Sequence, residues 1–263
     1  MRTKLMGGVF IFMSFFMYRP GCGEEYKGAT MSFNANDNKV IDLTHEIHPE
    51  IPTWDLTCGY FIKTLRDYHH CEGEFKFRSQ ALDIRASAGT HIDSPAHCFE
   101  GSSDVSEIPL EQLIVPCVVI DVSDQRDEHY KVSKADIEEF ERKYGEITPG
   151  CFVLVYTGWS RHWEDPKKYS NYHVFPSVSK EAAEVLLQRD VVGLGIDTLS
   201  PDCDETGSFV HAILLGAGKL IIENIKALDQ MPPIGATLLI MPLKVKGAAE
   251  SPIRLIGIVP RSQ

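Results

Sequence analysis

Residues 87–97 read SAGTHIDSPAH and place two imidazoles and a carboxylate close together in the chain. His91 and Asp93 stand two positions apart, so on an extended strand their side chains point to the same face. An imidazole and a carboxylate aimed at one point are suitable ligands for Zn²⁺ or Mn²⁺. Pro95 excludes a helix at this point, and a turn would bring His97 back towards the same ion. The stretch therefore predicts a strand that ends at a metal site.

Length and charge restrict the class of protein. The chain has 263 residues, and its mixture of apolar and charged residues is ordinary for a soluble globular protein. No linker or repeat interrupts residues 40–263, which are predicted to form one α/β domain. The net charge is -11, and no basic stripe is present that would neutralise phosphates. We therefore expect no nucleic-acid partner.

The N-terminus has the pattern of a secretory signal. Arg2 and Lys4 precede an apolar run over residues 5–18, which ends at a small-residue segment. Residues 1–23 are therefore predicted to be a signal peptide, and the polar residues 24–39 a disordered lead-in. The mature protein would be secreted and free of the membrane. A signal anchor, or an extension without a structural role, remains the alternative.

Apolar runs rich in β-branched residues predict buried strands. These runs occupy residues 117–122, 152–157 and 191–196. Helices are predicted between them, from a cap at Ser133 to a stop at Gly145 and from Ser179 to Arg189. Strands that alternate with helices in this way predict a layered α/β domain.

Two downstream segments carry further possible ligands. His211 begins a short apolar helix predicted over residues 211–217, and Glu223 ends a predicted strand at 220–223. Either residue alone would be an ordinary core histidine or strand-end carboxylate. Upstream, residues 75–84 alternate with period two and predict a strand that leads into the 87–97 stretch.

Other polar residues are predicted to lie in loops or at the surface, although the acidic loop that holds Asp197, Asp202 and Asp204 could instead approach the metal. They are Asp197, Asp202, Asp204, His45, His48, His69 and His70. An oxidising compartment would permit disulfides, and Cys58 with Cys71 is the pair to test first.

Residues 89–97 resemble the signature of the metal-dependent cyclase-like hydrolase family, which includes bacterial-type kynurenine formamidases and isatin hydrolases. The segments at 41–44, 51–54 and 249–254 support this resemblance. It implies a swivelling β/β/α layered fold and a homo-oligomer. It also implies hydrolysis of an amide C–N bond in a small aromatic formamide, with N-formylkynurenine the leading candidate, or in a cyclic amide such as an isatin-like lactam.

The resemblance also implies roles for individual residues. The implied ligands of the Zn²⁺ or Mn²⁺ ion are His91, Asp93, His211 and Glu223. His97 falls where the family has its catalytic histidine, although it could instead be a hydrogen-bond partner of a ligand. Trp54 falls where the formamidases have an aromatic residue that lines the substrate pocket, although it could equally fasten a loop to the core.

Position 87 departs from the family pattern. The motif usually begins with a metal-binding histidine, and this chain has Ser87 there. A neutral hydroxyl is a poor zinc ligand, so three outcomes are open: one metal instead of two, a water-bridged contact through Ser87, or a weakened site. The sequence therefore predicts a single-metal amidohydrolase, with a non-catalytic metal- or small-molecule-binding protein of the same fold as the alternative.

Overall fold

A computed structural model describes residues 37–125, 127–203 and 207–261. The strands among these residues are β1 (Asn38–Asp42), β2 (Tyr60–Arg66), β3 (Ser79–Ile84), β4 (His91–Asp93), β5 (Ile114–Asp121), β6 (Lys131–Val132), β7 (Phe152–Tyr156), β8 (Ser177–Val178), β9 (Gly193–Ile196), β10 (Leu220–Glu223), β11 (Ala236–Pro242) and β12 (Glu250–Pro260). The helices are α1 (Leu110–Leu113), α2 (Lys134–Tyr144), α3 (Pro166–Ser170), α4 (Lys180–Gln188) and α5 (Phe209–Gly216).

Eight of these strands form one mixed sheet that closes on itself. The order is β1-β12-β11-β5-β7-β9-β10-β4, and β12 also pairs with β4, which gives the sheet a barrel-like form. Strands β5, β7, β9 and β10 are parallel neighbours. They include the three buried strands that the sequence predicts, and these predictions are confirmed.

Alternation along the strands gives the sheet two apolar faces. Ile92, Leu154 and Leu238 belong to the core inside the closed sheet. Val153 and Ile221 point the other way and belong to a second core, which packs against α2, α4 and α5. The single α/β domain is confirmed, whereas the swivelling β/β/α arrangement stays a prediction.

The boundaries predicted for α2 and α4 agree with the observed helices, whereas α5 begins at Phe209, two residues before the predicted start. Ser133 and Asp136 form a reciprocal capping box at the start of α2, and Gly145 ends the helix at a φ of 96°. The Ser179 side chain accepts a hydrogen bond from the Ala182 N–H and caps α4.

The strand predicted over residues 75–84 is wrong in its first half. Only β3 is extended, and it pairs with β2 in a separate two-stranded sheet. The ion pair between Arg78 and Asp67, at 2.9 Å, instead closes the segment before β3 into a loop. Cys58 and Cys71 are both free thiols, so the disulfide hypothesis is also wrong.

The domain begins slightly earlier than predicted. Asn38 pairs with Pro260 in the β1–β12 ladder, so residues 38–39 of the predicted lead-in belong to a strand. The predicted signal peptide and the remainder of the lead-in, up to residue 36, lie outside the described residues. In the part of the chain that the structure describes, no helix has the length and apolar character that crossing a membrane requires.

Candidate metal centre

Strand β4 lies between β10 and β12 and presents His91 and Asp93 on the outer face of the sheet. Ile92, between them, points into the inner core. The antiparallel register places Glu223 of β10 opposite His91. It also places Glu250 of β12 opposite Asp93. Because directly opposed residues share a face, four potential ligands from three strands meet at one place.

The His91 imidazole is surrounded by carboxylates. Its Nε2 atom lies 3.3 Å from Glu223 Oε2, 3.6 Å from Asp93 Oδ1 and 3.9 Å from Glu250 Oε1. His91, Asp93 and Glu250 can place one ligand atom each within 4.8 Å of one another. This spacing is suitable for a shared cation.

Helix α5 contributes the second imidazole. His211 Nε2 lies 3.4 Å from Glu223 Oε1 and 3.6 Å from Asp93 Oδ2. Asp93, His211 and Glu223 form a second group of possible ligands, and all three are buried. The structure therefore brings together all four residues for which the family resemblance implies metal binding.

The hydrogen bonds of both imidazoles leave Nε2 available to a cation. His91 Nδ1 lies 2.9 Å from the Gly89 carbonyl oxygen, and His211 Nδ1 lies 2.7 Å from Asp202 Oδ2. A carbonyl or a carboxylate can only accept, so each Nδ1–H donates and each Nε2 faces the cluster. A histidine held in this way is typical of metal sites.

Asp202 is not the solvated turn residue that the sequence predicts. It is buried, and its carboxylate also accepts hydrogen bonds from the N–H groups of Val210 and His211, each at 3.0 Å. These N–H groups belong to the first turn of α5, where backbone donors lack helical partners. Asp202 therefore fixes both the start of α5 and the orientation of the His211 ring.

The charge of the cluster fits a divalent cation. Asp93 Oδ1 is buried and has no hydrogen-bond partner among the described residues. Burial alone would lower the pKa of His91, but the hydrogen bond to Glu223 and the charge of Asp93 raise it to about 9. Burial would also lower the pKa of His211, but its hydrogen bonds to Asp202 and Asp93 have the larger effect. The pKa of His211 therefore lies well above its ordinary value. Without metal, protons on the two imidazoles balance the negative charge of the carboxylates. A bound cation would displace these protons.

A cavity of about 530 Å³ opens over the cluster. Three residues that the sequence analysis singled out line it: His97, Ser87 and Trp54. His97 ends a short 3-10 helix, Pro95–His97, so the expectation that Pro95 excludes a helix is wrong: proline is accommodated in a first turn. His97 Nδ1 lies 3.7 Å from Glu250 Oε2.

Trp54 is held by a strained turn. Its ring stacks on His173 with centroids 3.8 Å apart, and His173 Nε2 lies 2.8 Å from the Trp54 carbonyl oxygen. Asn171, Tyr172 and His173 all have positive φ, at 39°, 54° and 60°. Non-glycine residues adopt this conformation at a cost, and such strain concentrates near functional sites.

Sequence reasoning missed Glu250 as a potential ligand and misplaced two buried polar residues. The segment 249–254 supported the family resemblance, but Glu250 itself was assigned no role. Asp197 is buried and accepts hydrogen bonds from the N–H and the hydroxyl of Thr157, at 2.8 and 2.7 Å. His45 is a loop residue, but only 5% of it is exposed. Asp204 lies outside the described residues.

We expect Asp202→Asn to weaken divalent-metal binding about 10- to 100-fold, the usual effect of removing the partner of a metal-binding histidine. The amide retains the size of the side chain but loses the negative charge that orients the ring of His211. Calorimetric titration with Mn²⁺ measures this change. Asp124→Asn, an exposed carboxylate in the loop after β5, is the control, and equal affinity of the two variants would contradict the role of Asp202.

His45 should make the protein sensitive to acid. Its ring stacks on Trp163 at 3.8 Å, and burial and the charge of Lys226 lower its pKa from 6.5 to about 3. Below pH 6.5 the unfolded chain binds a proton there that the folded chain does not, so stability falls as the pH falls from 6.5 towards 3. In the chelator-treated protein, this group should make the free energy of unfolding fall by about 1.4 kcal/mol for each pH unit. His45→Phe should remove this contribution, and urea unfolding at several pH values measures it. If the free energy of unfolding depended on pH equally in the native protein and in His45→Phe, this prediction would be refuted.

The fold and the cluster together define an α/β protein with a candidate divalent-metal centre on the outer face of a closed sheet. Residues 41–203, more than half of the chain, match the family described as putative cyclase, and the chain belongs to this family.

Known proteins with similar sequences cover most of the chain. An isatin hydrolase from Roseibium aggregatum is 26% identical over an alignment of 245 residues, and the match covers 85% of this chain and 93% of the relative. A kynurenine formamidase from Salinibacter ruber is 25% identical over an alignment of 224 residues, and the match covers 82% of this chain and 96% of the relative. The resemblance drawn from residues 89–97 is confirmed.

Solved structures share the fold. Isatin hydrolase A from Labrenzia aggregata, bound to benzyl benzoate, gives a TM-score of 0.78 at 26% identity and covers 86% of this chain and 96% of its own. A protein described as a potential metal-dependent hydrolase with cyclase activity gives 0.68 at 27% identity and covers 86% of this chain and 100% of its own.

Proposed function

We propose that the protein is a metal-dependent hydrolase that cleaves the amide C–N bond of a small aromatic formamide or cyclic amide. The observation that carries this proposal is the convergence of His91, Asp93, His211 and Glu223 beneath a cavity. The names of the isatin hydrolase and kynurenine formamidase relatives support it. Zn²⁺ and Mn²⁺ are the proposed cations, because the site offers imidazole nitrogens and carboxylate oxygens.

The residues around the cavity have separate roles in the proposed reaction. A bound divalent cation supplies polarisation of the scissile carbonyl and an activated water at neutral pH. Asp202 and the Gly89 carbonyl orient the two imidazoles towards that cation. His97 delivers a proton to the departing nitrogen, because histidine both accepts and donates protons near neutral pH. The nitrogen of an aryl amide leaves more readily than that of an alkyl amide, so modest acid catalysis suffices.

The size and lining of the cavity support this substrate class. A volume of about 530 Å³ suits a small molecule. Trp54 offers an aromatic face on the wall, against which an aryl ring would pack. An N-formylkynurenine-like formamide is the first candidate, and an isatin-like lactam is the second.

A substrate panel tests the proposal. Protein loaded separately with Mn²⁺ and Zn²⁺ is incubated with N-formylkynurenine, other aryl formamides, isatin, simple lactams and lactones, and ring opening or formate release is followed. Hydrolysis of a formamide or lactam, abolished by chelation and restored by the metal, is the expected result. Metal-loaded protein that leaves the whole panel intact would overturn the proposal.

The turn behind Trp54 should affect substrate binding. His173→Asn removes the stacked ring while asparagine tolerates the left-handed backbone, so we expect KM to rise about 2- to 10-fold with little change in kcat. Tyr172→Asn, at the neighbouring position and 94% exposed, is the matched control. Unchanged KM in the His173 variant would contradict a role for Trp54 in binding.

A non-catalytic binding protein is the second candidate, and the serine at position 87 is the observation that favours it. In that case the cavity binds a metal or a small molecule without turnover. Ser87→His separates the two: activity that appears only in the variant identifies a degenerate enzyme. Activity already present in the native chain supports the hydrolase.

We also propose a homo-oligomer. The β2–β3 hairpin exposes large apolar side chains, including Phe61 and Leu65, which are about three-fifths exposed at 61% and 59%. A two-stranded sheet has little stability in water unless a neighbour covers it. Light scattering on Phe61→Ser and on the native protein tests this, and a native monomer would refute it.

Secretion is a further proposal, supported by the basic and apolar pattern of residues 1–18. N-terminal sequencing of the exported protein should find cleavage near residue 23. Protein that keeps residue 1 would contradict it.

A further inference from the structure

Two carboxylates of the cluster each face both imidazoles. Asp93 Oδ1 lies 3.6 Å from His91 Nε2, and Asp93 Oδ2 lies 3.6 Å from His211 Nε2. Glu223 Oε2 lies 3.3 Å from His91 Nε2, and Glu223 Oε1 lies 3.4 Å from His211 Nε2. Each carboxylate could therefore share its two oxygens between two cations, as a two-metal hydrolytic site would require.

The His91 side of this arrangement has an additional carboxylate. Glu250 is paired opposite Asp93, and its Oε1 atom lies 3.9 Å from His91 Nε2. Its side chain is only 20% exposed. The buried oxygen without a partner, Asp93 Oδ1, is the one that faces His91. A cation between these three side chains would contact that oxygen.

We propose that Glu250 is a metal ligand, which forms a second cation site with His91 and Asp93 and replaces the histidine absent at position 87. The proposal rests on the hydrolase function above, because it assigns a second ion to the same centre. With Glu250 as a ligand, the expected stoichiometry becomes two cations per chain, instead of the single cation that the sequence predicts.

Glu250 is placed to make this replacement. Ser87 and Glu250 line the same cavity over the cluster. Ser87 precedes β4, whereas Glu250 begins the neighbouring strand β12, so the two approach from different parts of the chain. A carboxylate oxygen binds Zn²⁺ and Mn²⁺ well, whereas a neutral hydroxyl does not.

The charges also balance with two ions. Asp93, Glu223 and Glu250 contribute three carboxylates, and Asp202 contributes a fourth behind His211. When both imidazoles are neutral ligands, two divalent cations match these four negative charges. With a single divalent cation, two of these carboxylates would depend on protons for compensation, and buried uncompensated charge is costly.

Glu250 has a second contact that predicts a different role. Its Oε2 atom lies 3.7 Å from His97 Nδ1, a distance that would also suit a residue that only orients His97. A residue that only orients His97 would alter the kinetics without altering the number of bound cations. Metal stoichiometry therefore separates the two roles.

The test is a metal titration that does not depend on activity. Chelated, desalted native protein, Glu250→Gln, Glu100→Gln and the double variant Ser87→His/Glu250→Gln are titrated with Mn²⁺ by calorimetry. Bound metal is then measured by elemental analysis. Glu100→Gln is the control, because Glu100 is an exposed carboxylate three residues beyond His97.

The native protein and Glu100→Gln should each bind two ions per chain. Glu250→Gln should keep one site and lose the second or weaken it more than about 100-fold, a larger effect than removing an outer partner. The double variant should regain two sites, because the imidazole introduced by Ser87→His would supply the missing ligand. Recovery there also shows that Glu250→Gln has not simply misfolded.

Two results would overturn the proposal: native protein that binds one ion, or Glu250→Gln that binds two with native affinity. Neither result would refute the hydrolase, which the substrate panel tests separately on the native protein. Conversely, two bound ions in a protein inert to every amide would refute the hydrolase and leave the ligand role of Glu250 standing.

Discussion

Asp93→Asn should remove most metal binding and nearly all hydrolytic activity. Asp93 directs one oxygen towards each imidazole, so it is the residue that both groups of possible ligands share. An amide has one weak acceptor oxygen and no charge. Loss of a ligand should weaken binding by more than the roughly 10- to 100-fold seen for an outer partner. Loss of the cation removes several kcal/mol of transition-state stabilisation, on the order of 1000-fold in rate.

The measurement combines metal content with kcat/KM on whichever substrate the panel identifies. Asp124→Asn removes an exposed carboxylate of the same type and should retain both properties. Circular dichroism of the metal-free variants checks that both are folded. An Asp93→Asn protein with native metal content and activity would show that the cluster is structural, and the assignment of the catalytic centre to it would fall.

Local sequence pattern predicted the part of the site that lies within one strand. The period of two places His91 and Asp93 on one face, and the buried Ile92 between them confirms the alternation. The parallel strands were also predictable, because strands covered on both faces are continuously apolar. His211 and Glu223 were placed by the family resemblance, since neither residue has a local pattern that distinguishes a ligand from a core residue.

The unpredicted residues depend on contacts between distant parts of the chain. Glu250 faces Asp93 only because β12 pairs with β4 and closes the sheet, and no local pattern encodes that register. Asp202 resembles any loop carboxylate until α5 places two N–H groups and an imidazole against it. The burial of His45 also depends on a distant residue, because its ring stacks on Trp163, which lies more than a hundred residues further along the chain. Polar residues buried by tertiary contacts were therefore mistaken for surface residues.

His97→Ala should lower kcat about 100- to 10,000-fold while metal content stays native, the usual range for loss of a general acid. His97 ends the 3-10 helix that follows β4, and its side chain is 35% exposed in the cavity. It is therefore close to the cluster but free to meet a substrate. Metal analysis and steady-state kinetics on the same preparation measure the two effects separately, with Glu100→Gln as the control.

Dependence on the leaving group distinguishes proton donation by His97 from a purely structural role. If His97 protonates the departing nitrogen, its removal should cost most for amides of basic amines and least for anilides with electron-withdrawing groups, which depart with less assistance. Added imidazole should restore part of the lost rate, because a diffusible acid can enter the space left by the ring. An equal loss on every substrate, without rescue, would mean that His97 only positions Glu250, 3.7 Å from its ring, and that the proton comes from another group.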